Sequence, residues 1–443
     1  MTGLQGITRV VHKEHYDQQH FFNLPYSTLP PLPDDAVYIR PRLLGLGSNN
    51  LSYCAQGGPL HWWEAFPVPA DLPEPYNDTE QYGIAPGWGY GEVLKSTIAE
   101  LKEGTVMFGF MPLSAFPFQL QLEKSKGLAS HWFDVKESRN GLMPLYRRYQ
   151  AAEDALLPDN KMHSSFSANS AVWGSGYCLN RFVLKARDED PVISPFPEFK
   201  APWPEEAADL RDTLVVCLAA GTKTNRAFVH QLVTNRAPDR GPAALLEVSG
   251  STDSIVPELK PSFEHWILTY QNATNDETLS WITNLGVHHI VICDFGGRNG
   301  FIETFTTALR VALHESSNQN LESVRIDIIG IGGEPKVYTP EEKVARQARN
   351  KKVGAVQMNA SGIREVAITE LGEERYFREQ GGELNRVVET ELERNRGTDD
   401  EGRVLGIEIV WRDGMEGENG LEGAWQELCN GKVLGSEGLV IRL

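Results

Sequence analysis

The sequence predicts an α/β protein of two large domains, a β-rich front domain followed by a Rossmann-type parallel sheet, with any chemistry expected in the cleft between them. Up to about residue 122 short strands alternate with glycine-rich turns, whereas from Asp212 apolar runs alternate with helical stretches, as in βαβ units on a sheet buried on both faces. The length of 443 residues also exceeds what one hydrophobic core usually serves.

Residues 1–36 are polar, with Pro30, Pro31 and Pro33 close together, and read as an extended lead-in. The front domain is assigned to 37–184, a bridging helix included. It opens on 37–46, which alternates as a half-buried strand does, and Gly45, Gly47 and Ser48 then supply a turn. Gly87, Gly89 and Gly91 strip one face of a later strand, so that another backbone or a ligand can come close. The bridging region runs through Tyr146-Arg-Arg-Tyr149 and 164–184, its last part from Val172 reading as helix. Residues 185–211, with Pro191, Pro195, Pro197, Pro202 and Pro204, read as an exposed linker or insertion.

The second domain, 212–340, offers five candidate parallel strands at 214–220, 244–248, 266–269, 290–293 and 326–331, with helices at 225–234, 276–283 and 300–314 between them. In the C-terminal segment, 341–443, a charged helical stretch to Asn395 precedes a Gly- and acid-rich loop at 396–420, a helix at 421–430 and a strand at 438–443.

A formal net charge of -18 sets up a field that repels phosphate backbones, so nucleic acid is not an expected partner. Cys54, Cys178, Cys217, Cys293 and Cys429 are widely spaced and read as buried thiols of a reducing compartment. No run reaches the apolar length of a membrane span, and the cytoplasm is the expected location. Zinc is not expected: the cysteines are far apart, and His288-His289 enters a strand, where consecutive rings point to opposite faces. Ser175 stands between glycines, but in the bridging helix rather than at a strand-to-helix turn, so it lacks a nucleophile elbow.

The first parallel strand runs into Gly221-Thr-Lys-Thr-Asn-Arg-Ala227, where a Rossmann unit presents N–H groups to a phosphate. A G-x-G-x-x-G fingerprint is absent. Either Thr222, Lys223 and Thr224 contact phosphate directly, or they form an N-cap cluster. The second strand ends in Ser249 and Ser251 rather than a carboxylate, which favours NADP over NAD if a dinucleotide binds. Asp253 could still take the acidic role, with no obvious arginine beside it, and the plain alternative is a turn. Asp294 and Gly296 end the fourth strand and Gly332 the fifth, on the carboxyl edge where ligands bind; Asp294 either bonds a ligand or caps a helix.

Together, Ser48-Asn-Asn-Leu-Ser-Tyr53, the 86–93 glycine strand, Phe108-Gly-Phe110, the 214–227 turn, 293–297 and the ending 429–443 resemble a divergent zinc-free medium-chain dehydrogenase/reductase. More narrowly, Asn49-Asn50-x-x-Tyr53, the Gly-Trp-Gly-Tyr strand, Tyr146–Tyr149 and the Lys223-Thr224 turn resemble the domain of unknown function 2855 family. The resemblance implies a GroES-like front domain, a nucleotide-binding domain, and a C-terminal segment that returns to the front domain. It places Asn49, Asn50 and Tyr53 at a nicotinamide cleft and, by analogy, implies a homodimer.

Three readings follow. In the first, an NADP(H)-dependent reductase acts on a conjugated or carbonyl small molecule, with Tyr53 or Asn50 polarising the acceptor oxygen, Tyr90 and Trp88 shaping the pocket, and no metal. In the second, a non-redox enzyme on the same frame uses Tyr53, Tyr149 or His131 as acid or base. The third is a non-catalytic small-molecule binder.

Overall fold

Alternating side chains from Ala36 onward build a closed barrel. The strand Ala36–Leu46 pairs along one edge with Pro86–Ser96 and at its other with Phe118–Lys124, with Val37 opposite Leu120, and Val106–Pro112, Arg148–Ala151 and His131–Asp134 complete the ring. The molecule is described by a computed structural model over residues 5–152, 160–199, 203–316 and 324–443. Residues 1–4 of the expected lead-in and 200–202 of the expected linker, Pro202 among them, lie outside the described residues.

The glycine face of Pro86–Ser96 answers a neighbouring backbone: a Cβ on Gly89 would lie 2.1 Å from the Leu43 carbonyl oxygen. Alternation then gives Trp88 and Tyr90, on the opposite face, to the cleft. Outside the barrel, Glu437–Arg442 pairs antiparallel with Ala36–Leu46, Leu439 opposite Leu46, and Glu408–Asp413 lies parallel beside it. The stretch expected as a loop at 396–420 therefore holds an edge strand, whose short Ile409-Val410-Trp411 run is masked by acidic neighbours.

The expected lead-in is not one. Gln5–His12 and Gln19–Pro25 form a hairpin, Gly6 opposite Leu24, that Tyr82–Gly83 joins. Its polar composition hid this, because Arg9 is fully buried with its guanidinium carbon 4.3 Å from the Trp425 ring centroid. The turn expected at Ser48 is likewise the first residue of a helix, Ser48–Ala55.

The five predicted strands of the second domain are present, and a sixth, Val356–Gln357, comes from the segment expected to return to the front domain. Thr213–Leu218 lies between Ala244–Ser249 and His289–Asp294, with Glu264–Thr269 outside the former and Arg325–Gly330 and Val356–Gln357 outside the latter, all parallel. That order reverses direction at the first strand, which defines a doubly wound sheet with a crevice at its carboxyl edge. Its two faces bury separate cores, one around Val215, Phe228 and Val291, the other around Val216, Ile290 and Phe305.

Between the domains stands the helix Lys161–Cys178, prolonged by a π-helical turn, Leu179–Val183. Residues 185–211, expected to be exposed, instead bury Ala186, Asp190, Ile193, Ala207 and Leu210. Prolines remove the periodicity that would have announced this, and the path is pinned by Arg181, whose Nε and Nη2 each donate to Asp190 at 2.8 Å. Arg181 and Asp190 are 1% and 0% exposed. Among the described residues no helix is long and apolar enough to cross a membrane.

Arg181 also pairs with Glu379 at 2.5 Å, so Asp190→Ala leaves it a counter-charge but takes the acceptor from its buried Nε and Nη2, and is expected to lower stability by about 2 kcal/mol in urea denaturation; a change within 0.5 kcal/mol (about the scatter of a surface substitution) would show that the pair is dispensable.

Candidate active site

A cleft of about 2250 Å³ opens between the barrel and the carboxyl edge of the parallel sheet. Its barrel wall is aromatic. Asn49 and Tyr53, one helical turn apart on Ser48–Ala55, both line it, and the Tyr53 hydroxyl accepts from Trp88 Nε1 at 2.8 Å and from Asn49 Nδ2 at 3.4 Å. With both lone pairs engaged, the phenolic proton is left to be donated elsewhere. Burial raises Tyr53 above the ordinary phenol range, so it stays protonated at neutral pH. Its ring meets Trp62 at 4.8 Å, Phe110 at 5.2 Å and Tyr146 at 6.0 Å. Tyr90 lines the same wall 4.5 Å from the His163 ring, and burial raises its phenol too.

Two of the expected catalytic residues do not reach the cleft. Asn50 is fully buried, its Oδ1 accepting from Gly47 N at 2.7 Å and its Nδ2 donating to Pro86 O at 2.9 Å; it pins the helix start to the glycine strand. Tyr149 lies inside the barrel, donating to Phe110 O at 2.6 Å and accepting from Arg139 at 3.1 Å. Tyr146, three residues earlier, takes the place in the cleft, its hydroxyl 2.9 Å from Ser361 Oγ.

On the sheet side, Gly221, Thr222, Lys223, Thr224, Ser249, Ser251, Gly296 and Gly332 all line the cleft. The helix Lys223–Thr234 begins here, and Thr222 Oγ1 caps it by accepting from Asn225 N at 3.3 Å. The N–H groups of Lys223 and Thr224 find no acceptor among the described residues. They fit an anionic group of a ligand, as free N–H groups at a helix start do. The Lys223 ammonium crosses to the chain's final strand and donates to Glu437 O at 2.5 Å. Burial lowers it to about 8. The C-terminal turn sits directly on this loop, since a Cβ on Gly435 would lie 1.7 Å from Gly221 O.

Asp294 does not line the cleft. Its Oδ1 accepts from Gly296 N at 3.0 Å and Gly297 N at 2.6 Å, so it caps its own strand-end turn. Gly296, at φ 119°, packs against the Gly333 carbonyl, so backbone fills part of the space expected to be open here. Ser249 Oγ donates to Ser251 O at 2.5 Å, and the arginine absent from the sequence reading is Arg226, which donates to Asp253 at 2.5 Å. In a chain of net charge -18, cations dominate this wall: Lys223, Arg298, Lys336, Lys343, Arg346 and Lys351 against Asp253 and Glu334. Of these, Lys343, Arg346 and Lys351 come from the helix Pro340–Val353, part of the charged stretch from Pro340 that reads in sequence as a solvated face.

His131 also lines the cleft, accepting at Nδ1 from Arg148 at 3.0 Å, and burial lowers it to about 4. Among the described residues no three His, Cys, Asp or Glu side chains are grouped to hold a metal ion.

The closed barrel, the doubly wound sheet and the cleft between them are the two-domain α/β arrangement that the sequence resemblance implies. The family model described as "Protein of unknown function (DUF2855)" matches residues 44–434, and the chain belongs to that family. No curated protein matches. Among solved structures the chain resembles CurA in complex with NADPH from Vibrio vulnificus, at 12% identity over 98% of both chains with a TM-score of 0.47. It also resembles the CurK enoyl reductase, at 11% over 99% of both chains and 0.48, and the Etr1p/NADP/crotonyl-CoA complex, at 11% over 99% of this chain and 100% of that one and 0.49. With each score below 0.5, the functional reading rests on the cleft's own residues.

Because folded His131 stays neutral where an unfolded histidine is protonated, the unfolded chain binds the extra proton between about pH 6.5 and pH 4. Stability is then full above that window and falls through it by about 3 kcal/mol for this residue. His131→Gln is expected to flatten part of the loss in urea midpoints measured between pH 7 and pH 4.5; an unchanged slope would remove His131 as a source.

Proposed function

We propose that the protein is a zinc-independent, NADP(H)-dependent reductase of a conjugated or carbonyl small molecule. The observation that carries this reading is the Tyr53 hydroxyl, its oxygen occupied by Trp88 and Asn49 and its proton unclaimed among the described residues, in one cleft with a helix N-terminus whose first N–H groups find no acceptor among those residues. The residues for a dinucleotide fit its chemistry: N–H groups of Lys223 and Thr224 for a phosphate, cations along the wall, and Ser249 and Ser251 in place of the carboxylate that selects an unphosphorylated ribose. Lys223 has three N–H donors, so it can hold Glu437 O and a phosphate together. Bound there, NADPH would supply the hydride.

Tyr53 then holds its proton at the acceptor oxygen, stabilising the charge that develops there and delivering the proton to it. Asn49 and Trp88 fix the direction of that O–H. Trp62, Trp88, Tyr90 and Tyr146 exclude water from the reacting face.

One observation favours the non-redox reading: the loop carries Thr222, Lys223 and Thr224 in place of glycines, and its ammonium already has a backbone partner. Titration of the protein with NADPH, NADH and their oxidised forms separates the two. Saturable NADPH binding supports the reductase, and no binding at millimolar ligand removes it.

NADPH affinity is expected to be full below about pH 8 and to weaken as the pH rises through that value, because the free ammonium loses the proton that phosphate requires. Lys223→Met should bind more weakly and show no such pH step; a step that survives would assign it to another group. Tyr53→Phe should lower kcat by about 100-fold with NADPH affinity unchanged, and an unaltered kcat would take Tyr53 out of the chemistry.

A further inference from the structure

The cleft has a second charged corner, built by the C-terminal helices. Arg364 lies on the helix Ala360–Leu371 and lines the cleft half-buried. Its Nε donates to the Tyr376 hydroxyl at 3.2 Å, which fixes the plane of the guanidinium. Its Nη2 rests on the bridging helix at a residue with no side chain: a Cβ on Gly174 would lie 2.3 Å from it. Ser361, one turn earlier on the same face, holds the Tyr146 hydroxyl at 2.9 Å, and the Tyr146 ring is 6.0 Å from that of Tyr53. The same helix thus carries the guanidinium and the contact to a cleft phenol, and the Arg364 charge acts on Tyr53 and Tyr146 alike.

Arg364 makes no ion pair among the described residues. Neighbouring charges have other arrangements. Arg148 is paired with Glu373 and stacked on Phe133 and Phe377, with carbon-to-centroid distances of 4.2 and 4.3 Å. Glu365, the next residue, points to the Leu145 N–H. A guanidinium partly withdrawn from water, held by one hydrogen bond through Nε, keeps its planar fork for an incoming anion. The phosphate-facing N–H groups lie at the start of Lys223–Thr234, whereas the Arg364 helix holds Tyr146, which packs on Tyr53, so this corner lies toward the reacting phenol.

We propose that Arg364 is the recognition residue for a substrate carboxylate, and that the cleft takes enones or ketones bearing an acid group, the carboxylate on Arg364 and the carbonyl at Tyr53. The carbonyl half rests on the reductase reading; the carboxylate half does not.

Benzylidenepyruvate and benzylideneacetone test it, since they share a conjugated skeleton and differ by a carboxylate in place of a methyl. Binding is measured on the full chain, with and without NADPH, by calorimetry and by quenching of tryptophan emission. The wild-type protein is expected to bind the acid at least about tenfold more tightly than the ketone, the effect of one charge-assisted contact. Arg364→Met should bring the two ligands within about twofold of each other, and Arg364→Lys should keep part of the preference. NADPH affinity should be unchanged in both. Gly174→Ala displaces the guanidinium from the opposite helix and should weaken the acid alone, which keeps the test decisive if Arg364→Met fails to fold. No acid binding at millimolar concentration, equal affinity for the pair, or a preference that survives in Arg364→Met each overturns the proposal. Discrimination without NADPH binding would leave the acid site standing and remove the reductase; NADPH binding without discrimination would do the reverse.

Discussion

Three parts of the chain converge on the helix Lys161–Cys178, and each approaches it more closely than a side chain would permit. On the barrel side a Cβ at Gly45 would lie 2.2 Å from the Ser167 carbonyl oxygen; on the sheet side a Cβ at Gly176 would lie 2.7 Å from Phe228 N; on the C-terminal side Gly174 receives Arg364. At the first two points, where the neighbour is backbone, an interior packed at crystal-like density cannot absorb even a methyl without moving an element, whereas at Gly174 the flexible Arg364 side chain can yield. The barrel and the parallel sheet thus meet this helix backbone to backbone, and these two contacts hold the spacing between the walls of the cleft.

The two walls have different chemical characters because they come from different kinds of element. Short barrel strands alternate, and one face of Pro86–Ser96 supplies Trp88 and Tyr90 while the other is glycine. The parallel sheet offers only its carboxyl edge, where turns and a helix start present backbone N–H groups, and the charged 336–351 stretch surrounds them with cations. An acidic protein thereby gathers cations at this cleft, which draws anionic ligands toward it.

Legibility in the sequence followed burial on both faces. The parallel strands read directly because doubly buried strands are continuous apolar runs such as Leu214-Val-Val-Cys-Leu218. Where a polar residue is buried against a partner from another element the pattern failed, as at Arg9 under Trp425 and in 185–211, where Asp190 pairs with Arg181 of the π-helical turn. Within the site, neighbours in sequence separated in space: Asn49 faces the cleft and Asn50 the core because a helix turns about 100° per residue, and Tyr146 and Tyr149 part where a short helical turn gives way to a strand. Lys223 was recognisable as a residue of the phosphate turn, but its partner Glu437 lies 214 residues away. Arg364 carried no signal, since a charged residue on an amphipathic helix reads as solvated.

The strand Glu437–Arg442 sits in the front sheet beside Ala36–Leu46, and its preceding turn rests on the Gly221 loop. During synthesis, then, the strand Ala36–Leu46 leaves the ribosome long before the neighbour that covers its edge, and the nucleotide-side loop is complete only when the same late segment arrives. Both halves of the cleft wait on one length of chain, a contact of extreme sequence separation of the kind that slows folding and leaves an unpaired strand edge open to other chains in the interval. Loss of that segment would therefore be felt in the barrel and at the sheet edge alike, as a failure to reach the folded state rather than as a local defect.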